Sequence, residues 1–201
     1  MPAMSSTVIQ GSLIDRAARV SPFGTALKVA SVAFGVALTA AAAQFTMPVP
    51  FSAVPFALTP MAVLLVGAAL GARLGAATQS LYLLAGIAGL DVFVPSATLP
   101  PGAARLVGPT GGFLLAYPLA AFVTGWLAER GWDRKYASSA LAMVAGLAII
   151  YLGGASWYTA TITHSFRATL ATSIIPFAPI DIAKILLASA ILPTVWKTIR
   201  N

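Results

Sequence analysis

The sequence predicts an all-α membrane protein of six transmembrane helices with both termini cytoplasmic. Three observations predict it. Apolar residues make up 59% of the chain and charged residues only 8%, where a soluble domain carries about 25% charged residues; the mean hydropathy is +0.89. Six apolar stretches alternate with connectors rich in proline, glycine or charge. The cations gather in alternate connectors, as the positive-inside rule asks of a polytopic chain. The 17 glycines and 14 prolines suit helices that approach closely through small residues, in a setting where both residue types are tolerated within spans.

Composition also excludes several classes. Cysteine is absent, so there is no disulfide framework, thiolate metal site or cysteine nucleophile. One histidine rules out the usual zinc pairs. No Gly-Lys dipeptide occurs, so the chain has no phosphate-binding loop and is not itself an ATPase. The net charge of +7 is not gathered into a basic patch with interleaved aromatics, which argues against nucleic acid as a partner. Membrane lipid is the expected surrounding.

Residues 1–25 read as a cytoplasmic N-terminal segment ending in Ser21-Pro22-Phe23-Gly24. Within it, residues 9–20 suit a short amphipathic helix on the membrane surface, with Asp15, Arg16 and Arg19 on its wet side. A loosely attached terminus is the alternative. The first span is 26–45. Its run of alanines at 40–43 resembles a signal-peptidase site, but the polar leader is long and the apolar run approaches the ~20 residues of a true span. Ala33, Ala37 and Ala41 recur every fourth residue and form a smooth stripe on which another helix can pack closely.

Pro48, Pro50 and Pro55 forbid helix between the first two spans, so 46–56 is expected to be a compact loop that carries Val49, Phe51 and Phe56. The second span is 57–70, a turn follows at Gly71-Ala72-Arg73, and the third span is 74–90. Gln79 and Tyr82 lie three residues apart on one face of it, as interhelical glue or as ligand contacts. A long loop, 91–112, ends in Arg105-Leu106-Val107-Gly108-Pro109-Thr110-Gly111-Gly112. The fourth span is 113–127, a charged connector covers 129–135, and the fifth span is 138–157. Residues 158–173 are polar and threonine-rich and are expected to be a loop; the sixth span is 176–196.

With the N-terminus inside, the cytoplasmic cations are Arg16, Arg19, Lys28, Arg73, Arg130, Arg134, Lys135, Lys197 and Arg200, against Arg105 and Arg167 outside. Lys184 falls within the sixth span. That imbalance sets the orientation. Asp181 and Lys184 then lie in the outer half of the last helix, about 60° apart around its axis. Ionisable groups at membrane depth mark ligand or ion pathways. The proline-rich loop and the Arg105 loop are on the same side, so Asp181, Lys184, Arg105 and Gln79 are expected to face one outward pocket. Such a set suits a small polar ligand that donates and accepts hydrogen bonds. Phe51, Tyr82, Tyr117 and Trp157 are the candidates to enclose its carbon skeleton.

Four ordered motifs carry a resemblance that spans the chain from the first span onward. They are Pro48-Val49-Pro50-Phe51, Gly86 through Leu90-Asp91-Val92-Phe93, Gly108-Pro109-Thr110-Gly111-Gly112-Phe113, and Pro176-Phe177 followed by Asp181 and Lys184. Together they resemble the BioY family, the biotin-capturing S components of energy-coupling factor (ECF) transporters. The resemblance implies an S-component bundle over 26–201 that binds biotin from outside, in the plasma membrane. It implies no cofactor in this chain and no enzymatic activity. The expected partners are a transmembrane T component and two cytoplasmic ABC ATPases that consume ATP, although some members are thought to act alone. By the same resemblance Asp181 and Lys184 meet the ligand, Arg105 and Gln79 correspond to further polar contacts, and Ala33, Ala37 and Ala41 correspond to the docking surface. Packing against this protein's own helices is the other reading of the stripe, and a homo-oligomer is a further expected association. Asp91 and Pro100-Pro101-Gly102 depart from the family pattern. The rival readings are an S component for another small vitamin, an intramembrane enzyme using Asp181 with His164 or Ser165, and a pure assembly subunit.

Overall fold

Helix α6 (Gly111–Glu129) is the hub of the molecule: α3 (Thr59–Leu70), α4 (Ala72–Ile87) and α7 (Tyr136–Tyr158) all pack against it. The computed structural model describes residues 11–96 and 98–200, the side chains of Ile199 and Arg200 excepted. Around the hub lie α1 (Leu13–Val20), α2 (Gly24–Gln44), the short α5 (Ala104–Val107) and α8 (Phe166–Thr169), and the last pair, α9 (Ala178–Ala188) and α10 (Ile191–Arg200). Close approach at the hub depends on missing side chains. A methyl on Gly67 would strike the Ala121 backbone, and one on Gly125 would strike the backbone of the α3–α4 turn at Gly71. That turn itself needs glycine, since Gly71 has φ +86°.

Among the described residues, four helical stretches are long and apolar enough to cross a membrane: Gly24–Gln44, Gly111–Glu129, Tyr136–Thr163 and Ala178–Thr198. The expected second and third spans form α3 and α4, of 12 and 16 residues. At 1.5 Å per residue these reach only about 18 and 24 Å, short of the ~30 Å hydrocarbon core.

Three expectations of secondary structure are corrected. The chain is not purely α, because the proline-rich segment is an antiparallel hairpin, β1 (Thr46–Val49) and β2 (Ser52–Ala57). Its register pairs Thr46 with Ala57 and Met47 with Phe56, with an irregularity before Val49 and Ser52. Prolines are compatible with strand where an edge needs no N–H donor, and both strands of a two-stranded sheet have such an edge. Residues 158–173 are largely helical rather than a loop. Helix α7 runs into a π turn (Thr159–Thr163), and α8 into another (Leu170–Ile174). The threonines fit there because their hydroxyls bond back: Thr161 to the Trp157 carbonyl and Thr172 to the Ala168 carbonyl, each at 2.8 Å. The last span is interrupted at Ser189-Ala190. Pro193 has no N–H to offer the carbonyl four residues back, at Ser189, and its ring crowds that carbonyl, so the break falls one turn before it.

The N-terminal helix begins at Leu13, capped by the Ser12 hydroxyl; the expected start at residue 9, and everything before Gly11, lies outside the described residues. Asp15 and Arg16 are half-buried rather than wet. Asp15 pairs with Lys28 of α2 at 2.8 Å, and the Arg16 guanidinium lies over the Trp196 ring at 5.5 Å. Ile14 is buried with Val66 and Leu70, so α1 is packed onto the bundle. On α2, Ala33, Ala37 and Ala41 are all exposed, on the side away from the bundle.

Candidate functional site

Asp181 sits in the first turn of α9, and its side chain is buried. Both carboxylate oxygens are engaged. The Lys184 ammonium donates to Oδ1 at 2.9 Å, and the Tyr151 hydroxyl of α7 donates to Oδ2 at 2.7 Å. The same ammonium donates to the Ala57 carbonyl at 2.8 Å, so it ties α9 to the end of β2. The Phe56 and Phe177 rings, 4.4 Å apart, fasten the hairpin to the start of α9 a second time. A charge at this depth is stable only when paired and hydrogen-bonded, and this one is.

Beside Asp181 lies a cavity of about 60 Å³. Its walls come from the hairpin (Val54, Pro55, Ala57), the 91–110 loop (Phe93, Arg105) and the helix pair α6–α7 (Tyr117, Tyr151). Two glycines, Gly86 of the second motif and Gly154 of α7, seat two of its rings. A methyl on Gly86 would overlap the Phe93 ring, and one on Gly154 would overlap the ring of Phe113, another wall residue. A neighbouring cavity, about 300 Å³, shares Pro55, Val94, Arg105 and Thr110 with the first. These four residues form the partition between the two.

Arg105 is buried on α5 and holds its own loop in place. Its Nε donates to the Pro100 carbonyl and its Nη1 to the Val94 carbonyl, both at 2.9 Å. Two of the five guanidinium N–H groups are thereby used. The structure thus brings Asp181, Lys184, Arg105 and Tyr117 together.

The other expected site residues fall elsewhere. Gln79 is fully buried and faces α2, where its amide donates to the Thr39 hydroxyl at 3.2 Å. Tyr82 stands behind the cavity wall, edge-on to Phe93 with centroids 5.4 Å apart, its hydroxyl on the Val92 carbonyl. Trp157 donates from Nε1 to the Gly108 carbonyl at 2.9 Å and packs against Gly111 and Gly112 at the start of α6. Phe51 is at the hairpin turn, 52% exposed. Tyr151 is the residue the sequence reading passed over. It lies six residues from Trp157 on the same helix, about 120° around the axis, and the signal available was a polar-tipped aromatic inside an apolar span. Among the described residues no cluster of three or more His, Cys, Asp or Glu could hold a metal ion.

A bundle of apolar helices around a buried, hydrogen-bonded ion pair, roofed by a hairpin and a stapled loop, defines a multi-pass membrane protein with a cavity beside that pair. The fold is similar to that of a chain described as the S-component for biotin from an ECF-type ABC transporter, in a crystal structure at 2.1 Å. The TM-score is 0.78 at 22% identity, covering 89% of this chain and 95% of that one. Among curated proteins, this chain is 37% identical over 146 residues to the biotin transporter BioY of Thermotoga maritima, covering 71% of this chain and 81% of the relative. It is 35% identical over 159 residues to the probable biotin transporter BioY of Pyrococcus horikoshii, covering 79% and 90%. The BioY family model matches residues 15–201. The chain belongs to the BioY family.

Proposed function

We propose that this protein captures biotin from the outer side of the plasma membrane and takes it up as the S component of an ECF-type transporter. The observation that carries the reading is the buried Asp181 carboxylate, held by Lys184 and Tyr151 on the wall of a cavity otherwise lined largely by apolar side chains. Biotin's ureido ring offers two N–H donors to such a floor, its ring sulfur and alkyl chain suit apolar walls, and its carboxylate suits the remaining N–H groups of Arg105. The names of the relatives in two domains of life support the same ligand. An intramembrane enzyme is disfavoured, since Asp181 is engaged by Tyr151 and Lys184 and not by a histidine or serine.

The topology that goes with this reading has six membrane segments, the four long stretches with α3 and α4, and both termini in the cytoplasm. The excess of cations in the connectors assigned to the inner side supports it. Residues 1–25 then form a cytoplasmic segment and 26–201 the substrate-binding domain. The exposed alanine stripe of α2 suits docking to a T component, which works with cytoplasmic ATPases that consume ATP; a second copy of this chain is the other occupant of that face. Ser96→Cys and Arg134→Cys variants should label from opposite sides of the membrane.

The deciding experiment is titration of detergent-purified protein with labelled biotin. Saturable binding, unaffected by excess thiamine or riboflavin and weakened at least about tenfold in Asp181→Asn, is expected for a charge-assisted contact. Absence of saturable binding, or an Asp181→Asn variant that binds like the parent, would sink the reading.

A further inference from the structure

We propose that the cavity at the far end of α6 from Asp181 is a phospholipid site that reads a zwitterionic headgroup ending in a primary amine. The cavity measures about 610 Å³, within the range of pockets that hold a small molecule. Four helices meet around it: α1 supplies Asp15, α2 Lys28, the first turn of α4 Arg73, and the last residue of α6 Glu129. Leu74, Phe122 and Trp126 give it an apolar side. Trp126 is held in place by Arg130, whose guanidinium lies 3.4 Å over the ring and donates to the Trp126 carbonyl at 3.0 Å. Phe122 stands one turn, about 6 Å, nearer the middle of α6. The two rings are 42% and 40% exposed. Charge at the helix ends and exposed rings deeper along the same helix is the layering of a membrane interface, headgroup level first and acyl chain beneath. The inference needs only that the chain spans a membrane, and stands apart from the biotin reading.

The charges in the wall decide which headgroup fits. Asp15 is already engaged, Oδ1 by the Lys28 ammonium at 2.8 Å and Oδ2 by the Ser12 hydroxyl at 3.0 Å, so it matches the Lys28 charge. Glu129 Oε1 accepts from the Ala72 N–H at 2.8 Å and thereby caps α4. Among the described residues, nothing donates to Glu129 Oε2, and nothing bonds the exposed Arg73 guanidinium. One acceptor oxygen and one cation are left over, on neighbouring walls. A basic pocket that reads anionic lipid carries cations alone; here a carboxylate faces the same space. A phosphoethanolamine group satisfies both, its phosphate on the Arg73 fork and an ammonium N–H on Glu129 Oε2. A phosphocholine group has the same charges but no N–H to give. A phosphoglycerol group offers only neutral hydroxyls to the carboxylate. A solvated cation of the inner face has no such preference, and it is the half-used Glu129 carboxylate beside Arg73 that makes the cavity selective.

The test is native mass spectrometry of the full chain in detergent, offered equal amounts of phosphatidylethanolamine, phosphatidylcholine and phosphatidylglycerol with matched acyl chains. Wild type is expected to retain one phosphatidylethanolamine about threefold or more over either competitor, the scale of a partly exposed ion pair. Glu129→Gln keeps an acceptor for the Ala72 N–H but loses the carboxylate, so it should bind phosphatidylethanolamine and phosphatidylcholine equally. Arg73→Gln should lower retention of all three lipids. A second series uses wild type alone and so survives a variant that does not purify. Phosphatidylethanolamine carrying one or two N-methyl groups still has an N–H and should be retained, and retention should drop at the third methyl. Equal retention of the three lipids by wild type means a general lipid shell only and overturns the proposal. A preference for phosphatidylglycerol makes the cavity an anion site and overturns the headgroup assignment. An ethanolamine preference that persists in Glu129→Gln, or a steady decline with each added methyl, overturns the contact between the amine and Glu129.

Discussion

The Phe93 ring occupies the space that a side chain on Gly86 would fill. Phe93 is only 3% exposed and forms part of the cavity wall, so the glycine sets where that wall stands. Gly86→Ala forces the ring toward the cavity, and overpacking of this kind costs about 1–3 kcal/mol. The variant is expected to melt lower in detergent and to bind biotin about tenfold or more weakly, with the two effects read separately by thermal shift and by titration. An unchanged affinity in a destabilised variant would show that the ring relaxes away from the ligand.

Gln79 gives the opposite expectation. It lies on α4 facing the Thr39 hydroxyl of α2, and Thr39 in turn donates to the Gly35 carbonyl at 2.8 Å. Hydrogen bonds between membrane helices are worth about 0.6 kcal/mol on average, so Gln79→Met should lower stability slightly and leave biotin affinity within about twofold. A large loss of affinity with unchanged stability would return Gln79 to the ligand site.

These two residues show what a sequence does and does not disclose. Asp181 and Lys184 were legible because charge in an apolar run has few explanations. The long helices were legible from hydropathy alone. Gln79 was grouped with Tyr82 because residues three apart share a helix face, yet that face is wide enough for one to meet α2 and the other to back the cavity wall. Tyr151 was hidden among apolar neighbours, since nothing in the sequence reports that an acid 30 residues away will accept from its hydroxyl. The hairpin was hidden by Pro48, Pro50 and Pro55, which argue against helix and only weakly for strand. Helical residues 158–173 were hidden because threonine reads as loop until its hydroxyl finds a carbonyl one turn back.

Two aspartates on the face assigned to the cytoplasm respond to pH in opposite senses. Burial acts to raise the Asp15 carboxyl, but hydrogen bonds from Lys28 and Ser12 and the Lys28 charge outweigh it and hold it below the usual range. Its contribution is present above that range and is lost as pH falls through the lowered value. Burial raises Asp133, and the hydrogen bond from Trp196 and the Arg134 charge offset only part of this. Its contribution is full at low pH and is lost as pH rises from the usual aspartate value, about 3.9, through the raised one. Melting temperatures across that range should therefore separate the variants. Asp15→Asn is expected to be less stable than wild type at neutral pH and to converge with it in acid. Asp133→Asn keeps an acceptor for Trp196 without the charge, so it should equal or exceed wild type at neutral pH.

The exposed stripe on α2 yields a prediction that separates docking from binding. Ala33, Ala37 and Ala41 are exposed, and Phe34 and Leu38 beside them are 68% and 37% exposed, so this side of α2 is not used by the bundle. A substitution at an exposed site away from packing changes stability by about 0.5 kcal/mol or less. Leucine at position 37 therefore leaves the fold and the biotin affinity unchanged, yet its side chain fills the groove that a partner helix needs for close approach. Ala37→Leu should bind biotin as wild type does in detergent, and should lose most biotin uptake and co-purification in cells that supply the T component and ATPases. Ala37→Gly, which keeps the stripe smooth, should retain both. Reduced biotin binding in purified Ala37→Leu would mean that the stripe packs within the protein. Full uptake and full co-purification would move the partner to another face, and a change only in cross-linking between copies would assign the stripe to self-association.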